Sequence, residues 1–256
     1  MEKYAVYKTF ICPECGAVGE EPPIIEKLTE EVIYVYDPDS FDCKEMDSVT
    51  KETVLKCTYC SWRKKLVGTT PMKALESLLV KVWEGEDELI LRPLGSYWRE
   101  RKTELGSKVS NYLNEVGTPK KVEVVEAETS FALITDGEYF ISHIRGKDGK
   151  IGIPGGIAEE DEPPLQAVIR ETKEEYGIEL NQGKLEYLGF VVYKSYLLHT
   201  YKYEVSWEEM LKTFRNLSPN RECLLRRLLP LHIGVLNEPN LHAGLHKLLM
   251  ELVFSK

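Results

Sequence analysis

Residues 155–178, GGIAEEDEPPLQAVIRETKEEYGI, constrain the fold more tightly than any other stretch of the chain. Pro163-Pro164 can begin a helix but cannot continue one, and Glu160, Asp161 and Glu162 put negative charge at its favourable end. A helix is expected from about Pro163 to Tyr176. On it Leu165, Val168, Ile169, Thr172 and Tyr176 recur at helical spacing, which predicts one face buried against a sheet. Gly177 suits the left-handed position that ends a helix. The other face carries Glu171, Glu174 and Glu175 at i, i+3, i+4, so their carboxylates converge. Each like-charged pair at that spacing opposes a helix by about 0.2–0.5 kcal/mol. Negative charge in the last turns costs about 0.3–1 kcal/mol more against the helix dipole. Taken alone, such a face is a solvated acidic surface. A divalent cation removes both penalties, because carboxylate oxygens are the ligands Mg²⁺ takes. Two neighbouring features favour the cation. Arg170 can orient the cluster, and Gly155-Gly156, after Ile151–Pro154, lets backbone approach closely at the foot of the helix.

The flanking sequence predicts the scaffold. Strands are expected at Val122–Val125 and at Phe131–Thr135, the latter turning at Asp136-Gly137 into Tyr139–Ile141 as a hairpin. Further strands are expected at Leu185–Tyr193 and Tyr196–Val205, and a last helix at about Leu241–Phe254. Strands and helices in this order predict helices packed on a mixed sheet, an α/β (α+β) sandwich. Upstream, Thr70-Pro71 reads as a helix start. Leu75, Leu78, Leu79, Val82 and Trp83 then follow at helical spacing, and a second helix is expected between Arg99 and Glu115. Gly117-Thr118-Pro119 marks a boundary. The reading divides the chain into a small first domain (1–69), a helical connector (70–119) and a main domain (120–256). In the first, Glu31–Tyr36 and the turn Asp37-Pro38-Asp39 suggest short strands and turns.

Four of the six cysteines form two Cys-x-x-Cys pairs, Cys12/Cys15 and Cys57/Cys60. In a reducing compartment such pairs read as metal binding before disulfide, with a redox pair as the competing reading. Four thiolates suit a closed tetrahedral zinc site, structural rather than catalytic. Cys43 and Cys223 read as ordinary thiols. His242 and His246, four apart, read as a plain helix face. Tyr193, Tyr196, Tyr201 and Tyr203 could stack on a base, but alternation in a strand reads first as sheet surface.

Gly156, Glu162, Arg170, Glu171, Glu174, Glu175, Gly177 and Ile178 fall into the Nudix box, with Thr172 where an aliphatic residue is usual. The segment thus resembles that of Nudix hydrolases, which implies an α/β/α sandwich around a mixed sheet, here behind a small zinc ribbon. The resemblance implies Mg²⁺ or Mn²⁺ held by Glu171, Glu174, Glu175 and the Gly155 carbonyl. Glu162 and Gly156 support the loop, Gly177 ends the helix, and Arg170 holds a catalytic glutamate. It also implies attack by water on phosphorus in a nucleoside diphosphate-linked substrate. Glu174 is the first choice of general base, with Glu204, Glu208 and Glu222 behind it. A zinc ribbon ahead of the box is similar to NADH pyrophosphatases and their RNA-decapping relatives. Those carry Ser-Gln-Pro-Trp-Pro-Phe-Pro after the box, whereas this chain has Leu188-Gly189-Phe190-Val191-Val192-Tyr193. NAD(H), ADP-ribose or another dinucleotide are therefore the candidate substrates. The alternatives are a nucleotide-sensing module without turnover, and processing of an RNA 5′ cap.

Charge supports a nucleotide before a polymer. The formal net charge is −9, distributed as −4 in residues 1–70, zero in 71–120 and −5 in 121–256. No segment has the basic surplus that a phosphate backbone needs, although nucleic acid is not thereby excluded. No apolar run approaches the roughly 20 residues of a membrane span. The start Met1-Glu2-Lys3-Tyr4 lacks a secretory signal, so a cytoplasmic, reducing location is expected. A homodimer is compatible with all of this.

Overall fold

The computed structural model describes residues 3–18, 29–31, 34–37, 42–45, 52–66, 71–217 and 220–255. The chain forms two compact units, Met1–Glu126 and Ala127–Lys256. Thr70, Val32, Ile33, Pro38 and Asp39, which belong to expectations above, lie outside the described residues, as does the side chain of Cys43.

In the first unit, strands β1 (Ala5–Phe10), β2 (Leu79–Glu84), β3 (Glu88–Pro93) and β4 (Lys121–Val124) form one sheet in that order. The first two pairings are antiparallel and the last is parallel. Helix α1 spans Pro71–Glu76, α2 spans Ser96–Arg99 and α3 spans Lys102–Glu115. On α3, Leu105, Val109 and Leu113 are spaced by four and cover Val80, Val82, Leu89 and Leu91. Short strands at Thr29–Glu31, Glu52–Lys56 and Arg63–Leu66 form a separate sheet, and Tyr34–Asp37 pairs with Asp42–Glu45.

One expectation is corrected here. The helical stripe from Leu75 to Trp83 is a helix only as far as Glu76, and Leu79–Glu84 is a strand. A short apolar run satisfies both periods. β-branched Val80 and Val82 are fully buried while Leu79 before them and Lys81 between them are only half-buried, and ladders on both edges decide for strand. The strand expected at Val122–Val125 is present as Lys121–Val124 and pairs with β3.

The second unit holds strands β5 (Ala127–Thr135), β6 (Tyr139–Arg145), β7 (Ile151–Gly152), β8 (Gly155–Ile157), β9 (Leu185–Tyr193), β10 (Tyr196–Glu204) and β11 (Cys223–Pro230). They make one mixed sheet ordered β7-β6-β5-β10-β9, with β8 also paired to β5 and β11 to β6. Its centre is parallel: Ala127 faces Tyr196 and Thr135 faces Glu204. Alternation along β5 sorts the two cores. Ala132 and Ile134 pack toward helix α4 (Pro164–Tyr176) and Met210 of helix α5 (Trp207–Asn216). Leu133 packs with Phe140, Leu198 and Val191 toward helix α6 (Ala243–Leu248). This is the expected α/β/α sandwich. Tyr201 and Tyr203 are buried in the α4-side core, whereas Tyr193 and Tyr196 pack on the opposite one. The last helix is shorter than expected, running into a π-helical turn at Leu249–Val253. His242 caps α6 by accepting the Gly244 N–H, so His242 and His246 do not share a helix face. No helix among the described residues is long and apolar enough to cross a membrane.

Phe140 is fully buried in the α6-side core. Phe140→Ala is expected to lower the urea unfolding free energy by about 3–5 kcal/mol through lost burial and the cavity left behind.

Candidate functional site

Helix α4 forms as its sequence dictates. Pro163 caps it in an extended conformation, Val168 and Thr172 are fully buried beneath it, and Gly177 ends it at φ 68°. The loop before it is shaped by two glycines. Gly155 adopts φ +146°, and a Cβ there would lie 2.1 Å from the Ser130 carbonyl oxygen. A Cβ on Gly156 would meet the Glu171 carboxyl carbon at 2.4 Å. The bare backbone at Gly156 is what lets Glu171 lie against the loop.

Arg170 joins loop to helix. Its Nε and Nη2 donate to the two oxygens of Glu162 at 3.0 and 2.8 Å, a bidentate fork. Nη2 also donates to the Ile157 carbonyl at 3.2 Å, and Nη1 to Glu171 Oε1 at 2.8 Å and Glu174 Oε2 at 3.5 Å. Glu162 accepts the Glu159 N–H as well. The fork holds the Glu162 carboxyl below the usual carboxylate range and pushes the guanidinium up.

The three box carboxylates differ in setting. Glu171 is largely enclosed, and burial raises its pKa against the pull of Arg170. Glu175 accepts the Gly155 N–H at 2.9 Å; burial nevertheless pushes its carboxyl up to about 7, and the charges of Glu171 and Glu222 add to the rise. Glu174 points outward, its side chain 59% exposed. The structure thus places two enclosed carboxylates and one solvent-facing carboxylate along the C-terminal half of the helix. Hard oxygen donors whose charge is poorly compensated by the chain fit a divalent cation of the Mg²⁺ or Mn²⁺ kind. Glu222 is near enough to raise both Glu171 and Glu175, while Glu204 and Glu208 are simply exposed. Beside the helix C-terminus opens a cleft of about 570 Å³, lined by Glu174, Gly177, Glu209, Lys212, Asn216 and Asn220.

The first unit holds the other cluster. One ligand atom from each of Cys12, Cys15, Cys57 and Cys60 lies within 4.8 Å of all the others. Cys12 Sγ is 3.7 Å from Cys60 Sγ, and Cys15 Sγ is 3.8 Å from Cys57 Sγ. A tetrahedron with Zn–S bonds of about 2.3 Å has edges of about 3.8 Å, so the chemistry and spacing of this donor set fit zinc. Gly16 turns the first knuckle at φ +74°, where a Cβ would strike the Lys108 backbone at 2.3 Å. The N–H groups of Tyr59 and Trp62 point at the sulfurs of Cys57 and Cys60, each at 3.4 Å. Burial pushes the Cys15 thiol up to about 11, a cost that a bound cation would offset.

Sequence reasoning missed what meets Glu175 on its inner side. His143 on β6 and Cys223 on β11 offer atoms within 4.8 Å of each other and of its carboxylate. Asn220 Nδ2 donates to the Glu175 carbonyl at 2.8 Å. The three neighbours lie far from the helix in sequence, and no spacing rule connects them to it.

Residues 122–225 match the NUDIX domain family. The matched stretch includes helix α4 and the loop before it. No curated protein matches the chain. Among solved structures it is similar to the MutT protein of Methanosarcina mazei Go1, at 22% identity over 49% of this chain and 91% of that one, with a TM-score of 0.40. The MutT protein of Bacillus halodurans is 21% identical over 50% and 82%, with a TM-score of 0.38. A bifunctional NMN adenylyltransferase/ADP ribose pyrophosphatase of Francisella tularensis, complexed with AMP and a manganese ion, is 20% identical over 63% and 53%, with a TM-score of 0.40.

The raised Glu175 carboxyl has a signed consequence. Between pH 4.5, its ordinary value, and about pH 7 the folded state keeps a proton that the unfolded state releases. Stability without Mg²⁺ or Mn²⁺ therefore falls as pH rises through that window. Glu175→Gln should melt higher than wild type at pH 8 in protein freed of those ions, with the margin closing by pH 4.5. A margin that does not change with pH would show that the carboxyl is not strained.

Proposed function

We propose that the second unit hydrolyses the diphosphate bond of a nucleoside diphosphate-linked substrate, with NAD(H), ADP-ribose or another dinucleotide as candidates. The observation that carries this reading is the Arg170 fork, which fixes Glu171 against Gly156 while leaving Glu174 open to solvent. Glu171, Glu174, Glu175 and the Gly155 carbonyl would hold Mg²⁺ or Mn²⁺. When bound, the ion neutralises the diphosphate and acidifies the attacking water.

The chain's own residues do the rest. Arg170 keeps Glu171 and Glu174 in register across one helical turn. Glu174, exposed and touched by only the outer edge of that guanidinium, takes the proton of the attacking water at its carboxylate. Lys212 lines the cleft beside Glu174 and offers a positive charge to a substrate phosphate. The cleft volume lies within the range of small-molecule sites, roughly 300–1,000 Å³. In the first unit we propose a structural zinc at Cys12, Cys15, Cys57 and Cys60, closed to substrate because all four positions are thiolates.

Glu174→Gln should fold as wild type and lose about 10²–10⁴-fold in kcat with Mg²⁺, measured on a nucleotide panel with products identified by mass. Wild-type turnover in Glu174→Gln together with its loss in Glu222→Gln would transfer the base to Glu222. Cys57→Ser should lose one zinc equivalent per chain relative to wild type by elemental analysis, and the first unit should become protease-sensitive. Unchanged zinc content would remove the ribbon reading.

A further inference from the structure

The proposed catalytic cluster faces outward from α4, but Glu175 also has an inner side. There it meets two groups that a Mg²⁺ site has no use for. His143 on β6 and Cys223 on β11 are 3% and 6% exposed, and with Glu175 they offer three ligand atoms within 4.8 Å of one another. Cys223 is a free thiol, and its strand is brought beside β6 by the pairing of Arg145 with Cys223 after a register shift. We propose that His143, Glu175 and Cys223 form a second cation site, for a thiophilic ion of the zinc class, that shares Glu175 with the outer cluster.

The donor chemistry selects the ion. One imidazole, one thiolate and one carboxylate are ligands that zinc, cobalt and ferrous iron accept and Mg²⁺ does not. Three protein ligands with a fourth position left over is the composition of an open zinc site rather than a closed one. A tetrahedral ion at about 2.0–2.3 Å from its ligands sets them roughly 3.5 Å apart, so the trio closes on an ion by about an ångström of side-chain movement.

The surroundings prepare the ligands. His143 Nδ1 is 2.9 Å from the Tyr176 hydroxyl oxygen. With Nε2 as the ligating nitrogen, Nδ1–H would donate to that oxygen, the usual outer support of a ligating histidine. Burial holds the His143 pKa down to about 4, so the imidazole is neutral and needs no proton removed. Beside it Gly152 contributes no side chain; a Cβ there would come within 3.5 Å of Nε2. Burial keeps the Cys223 thiol protonated, near pKa 12, until an ion displaces its proton to solvent. An ion in this position draws Glu175 inward. Zinc-class ions and Mg²⁺ then compete for one carboxylate, and this sharing, unlike the site itself, rests on the function proposed above.

Cobalt reads the site directly. Purified protein is titrated with Co²⁺, and thiolate-to-cobalt absorption is compared between wild type and Cys223→Ser. The Cys12/Cys15/Cys57/Cys60 cluster contributes equally to both and cancels in the difference. One equivalent of extra thiolate-ligated Co²⁺ is expected in wild type, and Tyr176→Phe should bind it about 10–100-fold more weakly. Glu174→Gln should keep the extra band whether or not it hydrolyses anything, which separates this proposal from the catalytic one. An identical band in wild type and in a Cys223→Ser protein with native circular dichroism overturns the proposal. Should the serine variant not fold, X-ray absorption on Co²⁺-loaded wild type decides. An imidazole nitrogen beside sulfur in the cobalt shell supports the site, and sulfur-only or oxygen-only ligation overturns it.

Discussion

One guanidinium holds the second unit's chemistry in place. Arg170 bonds Glu162 through both oxygens, the Ile157 carbonyl and the leading edge of Glu171, so a loop and a helix that are separate in sequence become one rigid piece. Without it, Glu162 and Glu171 would be two enclosed carboxylates with no cation from the chain beside them. A partly buried ion pair is weak evidence of stability as such, but removing one partner leaves a charge stranded. The value of Arg170 is therefore positional. It permits crowding that the helix dipole and mutual repulsion both oppose.

Much of this was legible because the relevant physics is local. Pro163-Pro164, the buried stripe of α4 and Gly177 each act within a few residues, and the helix falls within one residue of its expected limits. Strands at Leu185–Tyr193 and Tyr196–Glu204 were equally readable, since alternation and a tight turn suffice. The failures share a cause. Leu79–Glu84 carries an apolar pattern that suits either period, and only its neighbours β1 and β3 make it a strand. Cys223 looked inert because nothing in its own segment announces that β11 runs beside β6.

The two clusters proposed as cation ligands, one in each unit, follow different logic. The cysteine knuckles of the first unit are pre-set, with two sulfur pairs already at the spacing a zinc tetrahedron would need and backbone N–H groups aimed at two of the sulfurs. The glutamates of the second are arranged more loosely, one solvent-facing and two enclosed. A structural ion needs a closed cage, whereas a working one needs room for water and substrate.

The parallel pairing at the middle of the second sheet carries a kinetic corollary. Ala127 faces Tyr196 and Thr135 faces Glu204, so the partners of each contact lie 69 positions apart in the chain. Closing such loops is slow, because chain entropy is lost before any ladder bond rewards it. During synthesis, β5 and the whole of α4 emerge before their central partner exists. In that interval only short-range contacts such as Arg170 with Glu162 can give the nascent segment its shape, and β5 is left with an open edge. A chaperone that shields this edge until β10 arrives would change the yield of folded protein without touching its final stability.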